Sequence, residues 1–155
     1  MPPTPQPSSP GHPLRADGAR TGGMRAARPP DGYPGAMDVV DLHEAFRRLD
    51  APWTPRIVGA VNGFHAKVAR LEGEFVWHSH AEEDELFLVL EGRLRLCLRD
   101  RDVVLEPGQL HVVPRGVEHL PIAEPFAHVL LFEPASTRNT GGVTEARTVE
   151  DPEWI

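Results

Sequence analysis

The sequence predicts an all-β fold, a barrel or sandwich of short strands preceded by one short helix. Three observations carry that prediction. From Arg56 onward, apolar stretches alternate with Gly- or Pro-bearing turns at roughly 8–12 residue spacing, the rhythm of a β-sandwich or barrel. Arg93 to Arg99 alternates cleanly, with Leu94, Leu96 and Leu98 on one parity and Arg93, Arg95, Cys97 and Arg99 on the other. Leu86 to Leu90 is apolar on both parities, as expected of a strand covered on both faces.

The elements follow in chain order. Residues 1–35 hold nine of the seventeen prolines and six of the fourteen glycines. A segment of that composition buries too little surface to offset its ordering entropy, so it is expected to be disordered. The folded domain is expected over residues 36–155, with its barrel core at about 56–133. Asp38 is expected to cap a short helix in which Val39, Leu42, Phe46 and Leu49 recur at helical spacing, and Ala51-Pro-Trp-Thr-Pro55 ends it. This helix should pack on the outside of the β domain. Strands are then predicted over Val61–Leu71, Phe75–His80, Leu86–Leu90, Arg93–Arg99, Val103–Leu105, Leu110–Val113, His119–Ile122 and Ala127–Phe132. Glu72-Gly73-Glu74 is read as a turn and Glu91-Gly92 as a tight hairpin turn. Beyond Glu133 the chain is irregular, with an apolar end at Trp154-Ile155 that can tuck onto the barrel.

Composition narrows the function. At 155 residues the chain suggests one domain with a core large enough to stand without staples. A formal net charge of −7 argues against a nucleic-acid partner, because phosphate binding needs clustered Lys and Arg. The single cysteine, Cys97, rules out an intrachain disulfide and suits a reducing compartment. No stretch has the apolar length to span a bilayer, and the N-terminus lacks the apolar run of a secretory signal. A cytoplasmic protein with no membrane partner is the expectation.

The chemistry concentrates in His78, His80, Glu85 and His119. His-x-His on extended backbone places two imidazoles on one face, because side chains alternate with period two. A carboxylate five residues later can return on the next strand, and a histidine from a later strand completes an N₃O set. Imidazole plus carboxylate suits a divalent transition metal such as Fe, Mn, Zn or Ni rather than Ca or Mg.

The surrounding residues make the pattern recognisable. Gly73, His78, His80, Glu85 and Gly92 follow one motif, with four residues rather than five between Gly73 and His78. Gly108, Pro114, Gly116 and His119 follow a second, whose final Asn is Ala123 here. In this the chain resembles the cupin superfamily, and within it the small single-domain bacterial cupins labelled mannose-6-phosphate-isomerase-like. The resemblance implies a jelly-roll β-barrel, a metal held by the four residues named, and pairing into homodimers. The label describes a fold and does not establish isomerase activity.

Other residues were weighed against the site. His65 and Lys67 share one parity, and are either substrate-binding groups at the barrel mouth or an outward, solvated pair. Phe87 shares parity with Glu85 and should line the pocket, whereas Trp77 should face away from it. His111 and His128 are expected to be structural, and Cys97, with no nearby base, is not expected to be a nucleophile. The functional expectation is a metal-dependent enzyme of oxygenase or isomerase type acting on a small polar metabolite such as a sugar, a hydroxy acid or an aromatic diol. The alternative is a non-catalytic module that binds a small ligand or a metal.

Overall fold

The structure, a computed structural model, describes residues 39–155. The segment expected to be disordered, residues 1–35, lies outside the described residues, as does Asp38. The helix is shorter than expected: α1 spans Leu42–Arg47, and its N-cap is Asp41, whose carboxylate accepts from the Glu44 N–H at 3.2 Å. Val39 stands almost fully exposed and takes no part in the packing. As expected, α1 lies on the outside, with Ala45, Phe46 and Leu49 packed against Val58, Val68, Ala66 and Leu90.

Six strands follow: β1 (Arg56–Val61), β2 (Phe64–Glu74), β3 (Glu85–Leu98), β4 (Asp102–Leu105), β5 (Leu110–Val113) and β6 (His119–Pro134). All pairings are antiparallel, in the order β1-β2-β6-β3-β4, with β5 on the first half of β3. The three long strands carry the architecture. β3 pairs with β6 along its whole length, while its outer edge is taken first by β5 and then by β4.

Five sequence expectations change here. The first strand is separate: Asn62-Gly63 turns β1 back onto β2, with Asn62 at φ 54°. Gly73 lies within β2, at a register shift rather than in a turn. Glu91-Gly92 is likewise inside β3, where the pairing with β6 slips on either side. Such bulges bend a strand and let a sheet curl on itself. At the bend Gly92 sits at φ +76° against Ala127, and a Cβ there would collide with the Phe126 carbonyl oxygen. The two strands expected after residue 118 are one, β6, bent around the same corner. Phe75–His80 is extended chain with a single bridge, His78 to His119, rather than a full strand.

The inner faces of the curled sheet close over one core that includes Leu71, Phe87, Val89, Leu94, Leu96, Val129 and Leu131. Residues 135–155 close one end. Gly142 N–H donates to the Ser79 carbonyl, and Ile57 bonds to Glu153 and Ile155, so the C-terminus does tuck onto β1. The expected all-β barrel with a short preceding helix is therefore what the chain forms. No described helix is long and apolar enough to cross a membrane.

Candidate metal centre

The His78–His119 bridge builds the site. Each residue donates its N–H to the other's carbonyl, at 3.1 and 2.9 Å, which sets the two side chains next to each other with ring centroids 4.2 Å apart. His80, two residues on, shares the face of His78. Glu85 opens β3 with its side chain turned inward. All four residues are buried, and one ligand atom from each lies within 4.8 Å of all the others.

The hydrogen bonds orient the donors. Nδ1 of His78 donates to the Val76 carbonyl at 2.9 Å, and Nδ1 of His119 donates to the Val117 carbonyl at 3.1 Å. Both rings therefore present Nε2 inward, in the tautomer and orientation that metal-ligating histidines need. Glu85 Oε2 lies 3.1 Å from His80 Nε2 and 3.2 Å from His119 Nε2. Adjacent donors around a six-coordinate transition metal stand about 3 Å apart, given bonds of about 2.1 Å. The donor set and its spacing fit a divalent transition metal, whose binding would compete with protons for the imidazoles.

The protonation states follow from position. Burial, followed by the neighbouring His119, pushes His78 down to about 4, so it is a neutral donor at physiological pH. Burial would also lower His80, but the hydrogen bond and charge of Glu85 outweigh it and raise His80. Burial would raise Glu85, yet the two histidine hydrogen bonds hold it far below the usual carboxylate range. Without metal the centre is thus a buried carboxylate kept ionised by the imidazoles of His80 and His119 against it.

A cleft opens beside these ligands. Its walls include Trp53, Leu71, Phe75, Phe87 and Leu131, and both His78 and Glu85 reach it, with Asn139 at its edge. With its open mouth counted, the cleft spans about 360 Å³.

Known proteins share this fold. Residues 65–126 match the cupin domain family. The crystal structure of a cupin-2 domain containing protein from Shewanella frigidimarina is 38% identical, superimposes with a TM-score of 0.61, and aligns over 62% of this chain and 94% of that one. This chain is a cupin. A second solved structure, from Neisseria meningitidis, is 26% identical with a TM-score of 0.58, over 63% of this chain and 99% of that one. The uncharacterized protein YdbB of Bacillus subtilis (strain 168) is 36% identical over 63 residues, 40% of this chain. That match spans 56% of YdbB, just over half its length.

The structure places the remaining expected residues of the cupin unevenly. Phe87 lines the cleft, and its ring meets His119 edge-on with centroids 6.0 Å apart. His65 and Lys67 face inward and are buried, which overturns the solvated reading, yet neither lines the cleft. Trp77 faces away, beneath the Arg99 guanidinium at 3.9 Å. His128 is structural, stacked on Phe46 and paired with Glu91. Burial and the hydrogen bond to Asp102 push the Cys97 thiol up, the reverse of what a nucleophile needs.

Sequence reading missed Glu133. It forms a fully buried ion pair with Lys67 at 2.7 Å, and the Lys67 ammonium also donates to the Thr137 carbonyl at 3.1 Å. The register that pairs Leu86 with Phe132 sets Glu85 and Glu133, the next residue along each strand, opposite each other on the inner face. Burial and then the Glu85 charge raise Glu133 to about 7, against the pull of Lys67. Continuing the inward parity of Val129 and Leu131 by one step would have found it.

Proposed function

We propose that this cupin is a metal-dependent enzyme whose centre, His78, His80, Glu85 and His119, takes a small oxygen-bearing molecule. The supporting observation is that the buried four-donor cluster is not sealed: His78 and Glu85 reach the cleft, so a molecule seated there meets the ligand set directly. A bound Fe, Mn, Zn or Ni ion would supply Lewis acidity, and Fe or Mn redox chemistry as well. The chain itself contributes the rest. His78, held neutral, and His119, oriented by the Val117 carbonyl, fix the donor directions. Phe87 and Phe75 exclude water from the ligand face.

One observation favours the second reading, a binding module. Among the described residues, none lining the cleft is titratable apart from His78 and Glu85, so none of them is a separate acid or base facing a bound molecule. The test starts with elemental analysis of untagged, chelator-free protein. Near-stoichiometric metal with turnover of an oxygen-bearing substrate is the expected result. Saturable binding without product identifies the module, and absence of metal after reconstitution overturns the enzyme reading and leaves the module.

Two copies of the chain are further proposed to pair through the outer face of the sheet. Leu110 and Val112 of β5 are exposed there at 57% and 42%. They continue across half-buried Leu88 and Leu86 to Leu130 and Phe132, with exposed Phe64 stacked on Phe132. An apolar face of this extent is a common docking surface. Light scattering is expected to give twice the 17.1 kDa chain mass, and Leu110→Arg with Val112→Glu to give the single mass. A monomer in the unaltered protein sinks the idea.

A further inference from the structure

We propose that the cleft selects a compact ligand with an apolar body, one ring in size, that carries its oxygen atoms at the end facing the metal centre, and that it rejects sugars and sugar phosphates. The inference rests on the metal-centre reading above and narrows its substrate class.

The cleft has few polar atoms, and most of them are already engaged. Three polar residues line it besides apolar and aromatic ones: His78, Glu85 and Asn139, together with the indole N–H of Trp53. The Trp53 N–H is engaged by the Glu72 carbonyl at 2.9 Å. The Asn139 amide donates to the carbonyls of Trp53 and Arg147 and accepts from the Val149 N–H. The two that remain are metal ligands. A polyhydroxylated molecule would therefore bury hydroxyls with no partner except at the metal end.

Charge gives the same answer. Among the described residues no cationic side chain lines the cleft, so a phosphate or distal carboxylate would find no counter-charge from them. The Arg147 guanidinium lies 4.7 Å over the Phe75 ring, held by hydrogen bonds to Glu145 and to the Glu74 and Phe75 carbonyls. The walls, by contrast, suit a ring. Trp53 and Phe75 stack with centroids 4.4 Å apart, and Phe87 stands beside His119. Aromatic walls take flat apolar groups by stacked or edge-on contact.

The test is calorimetric titration of the full chain loaded with Co(II), using catechol and mannose 6-phosphate as probes, with the visible Co(II) absorption followed in parallel. Catechol is expected to bind saturably at one per chain, to move the Co(II) bands, and to bind at least about tenfold tighter than mannose 6-phosphate, the factor expected for even one hydroxyl buried without a partner. Ala69→Leu, which adds bulk to the cleft wall, is expected to weaken catechol by a similar factor at unchanged Co(II) stoichiometry. Equal or tighter binding of the sugar phosphate overturns the inference, as does catechol affinity indifferent to Ala69→Leu. Failure of Co(II) to load overturns the metal reading alone. Phenol titrated into the metal-free protein then probes the cleft by itself, and lack of saturation there overturns the inference.

Discussion

Replacing His78 and His119 together with alanine is expected to lower affinity for a divalent metal by well over about 100-fold. That exceeds the roughly 10- to 100-fold cost of losing a partner one shell out. The fold should persist, because the bridge joining the two residues is made by their main-chain groups, which alanine retains. Competition with a chromogenic chelator measures the affinity, and far-UV circular dichroism checks the fold. Stoichiometric metal in the double variant would mean that the four donors do not act as one site. The unaltered protein should also lose metal as pH falls, since binding must displace protons. The competing proton sits first on His80, which Glu85 raises, and only near pH 4 on His78. In Glu85→Gln the support for a protonated His80 is gone, so the pH at which residual binding fades should move down. Stability of the metal-free protein carries the matching sign through His78. Its folded pKa lies below the unfolded 6.5, so the unfolded chain binds the extra proton and stability is lost between pH 6.5 and about 4.

The metal centre was legible in the sequence because its residues sit at short, period-two spacing around one bridge. His78 and His80 share a face by alternation alone, and Glu85 follows at the next strand start. What was not legible depends on pairing between distant strands. Gly92 and the glycine of Asn62-Gly63 both have the composition of a turn, yet only the latter makes one. The difference lies in β6, which runs past Gly92 and holds β3 continuous through the bend. The gap expected between His119–Ile122 and Ala127–Phe132 is filled in the same way, because the flanking residues of β6 remain paired with β2 and β3 on both sides of it. The helix start moved from Asp38 to Asp41 because both are sound caps locally, and packing of Ala45 and Phe46 on the sheet decides between them. Lys67 and Glu133 are 66 residues apart, and nothing in either segment announces the other. The tail beyond Glu133 was equally silent, although Asn139 and Thr137 in it complete the cleft edge and the ion pair.

Breaking the Lys67–Glu133 pair is expected to be the costliest single change away from the metal ligands. Both side chains are 1% exposed, so either one left alone is a charge without water or partner. Lys67→Met should cost about 3–5 kcal/mol in urea unfolding at neutral pH, the usual cost of removing one member of a buried pair. The cost should grow from pH 5 to pH 8. Glu133 already has a folded pKa raised to about 7, and loss of the ammonium that opposes this raises it further. A raised carboxylate contributes stability in full below its unfolded pKa and loses it as pH climbs through the folded one. The double variant Lys67→Met/Glu133→Leu should recover most of the loss, since apolar side chains of similar volume commonly replace buried pairs at little cost or with gain. A double-mutant cycle gives the coupling energy, and additive losses would mean that the two residues do not act as a pair. The same double variant separates structure from function. Glu133 is the end of the pair that faces Glu85, so the pair presents negative charge to the metal ligands and its ammonium lies behind. A variant as stable as the unaltered protein but about tenfold weaker for metal, within the range for outer partners, would show that this ion pair serves the metal centre rather than the fold. Unchanged metal affinity in a stable double variant would assign the pair to packing alone.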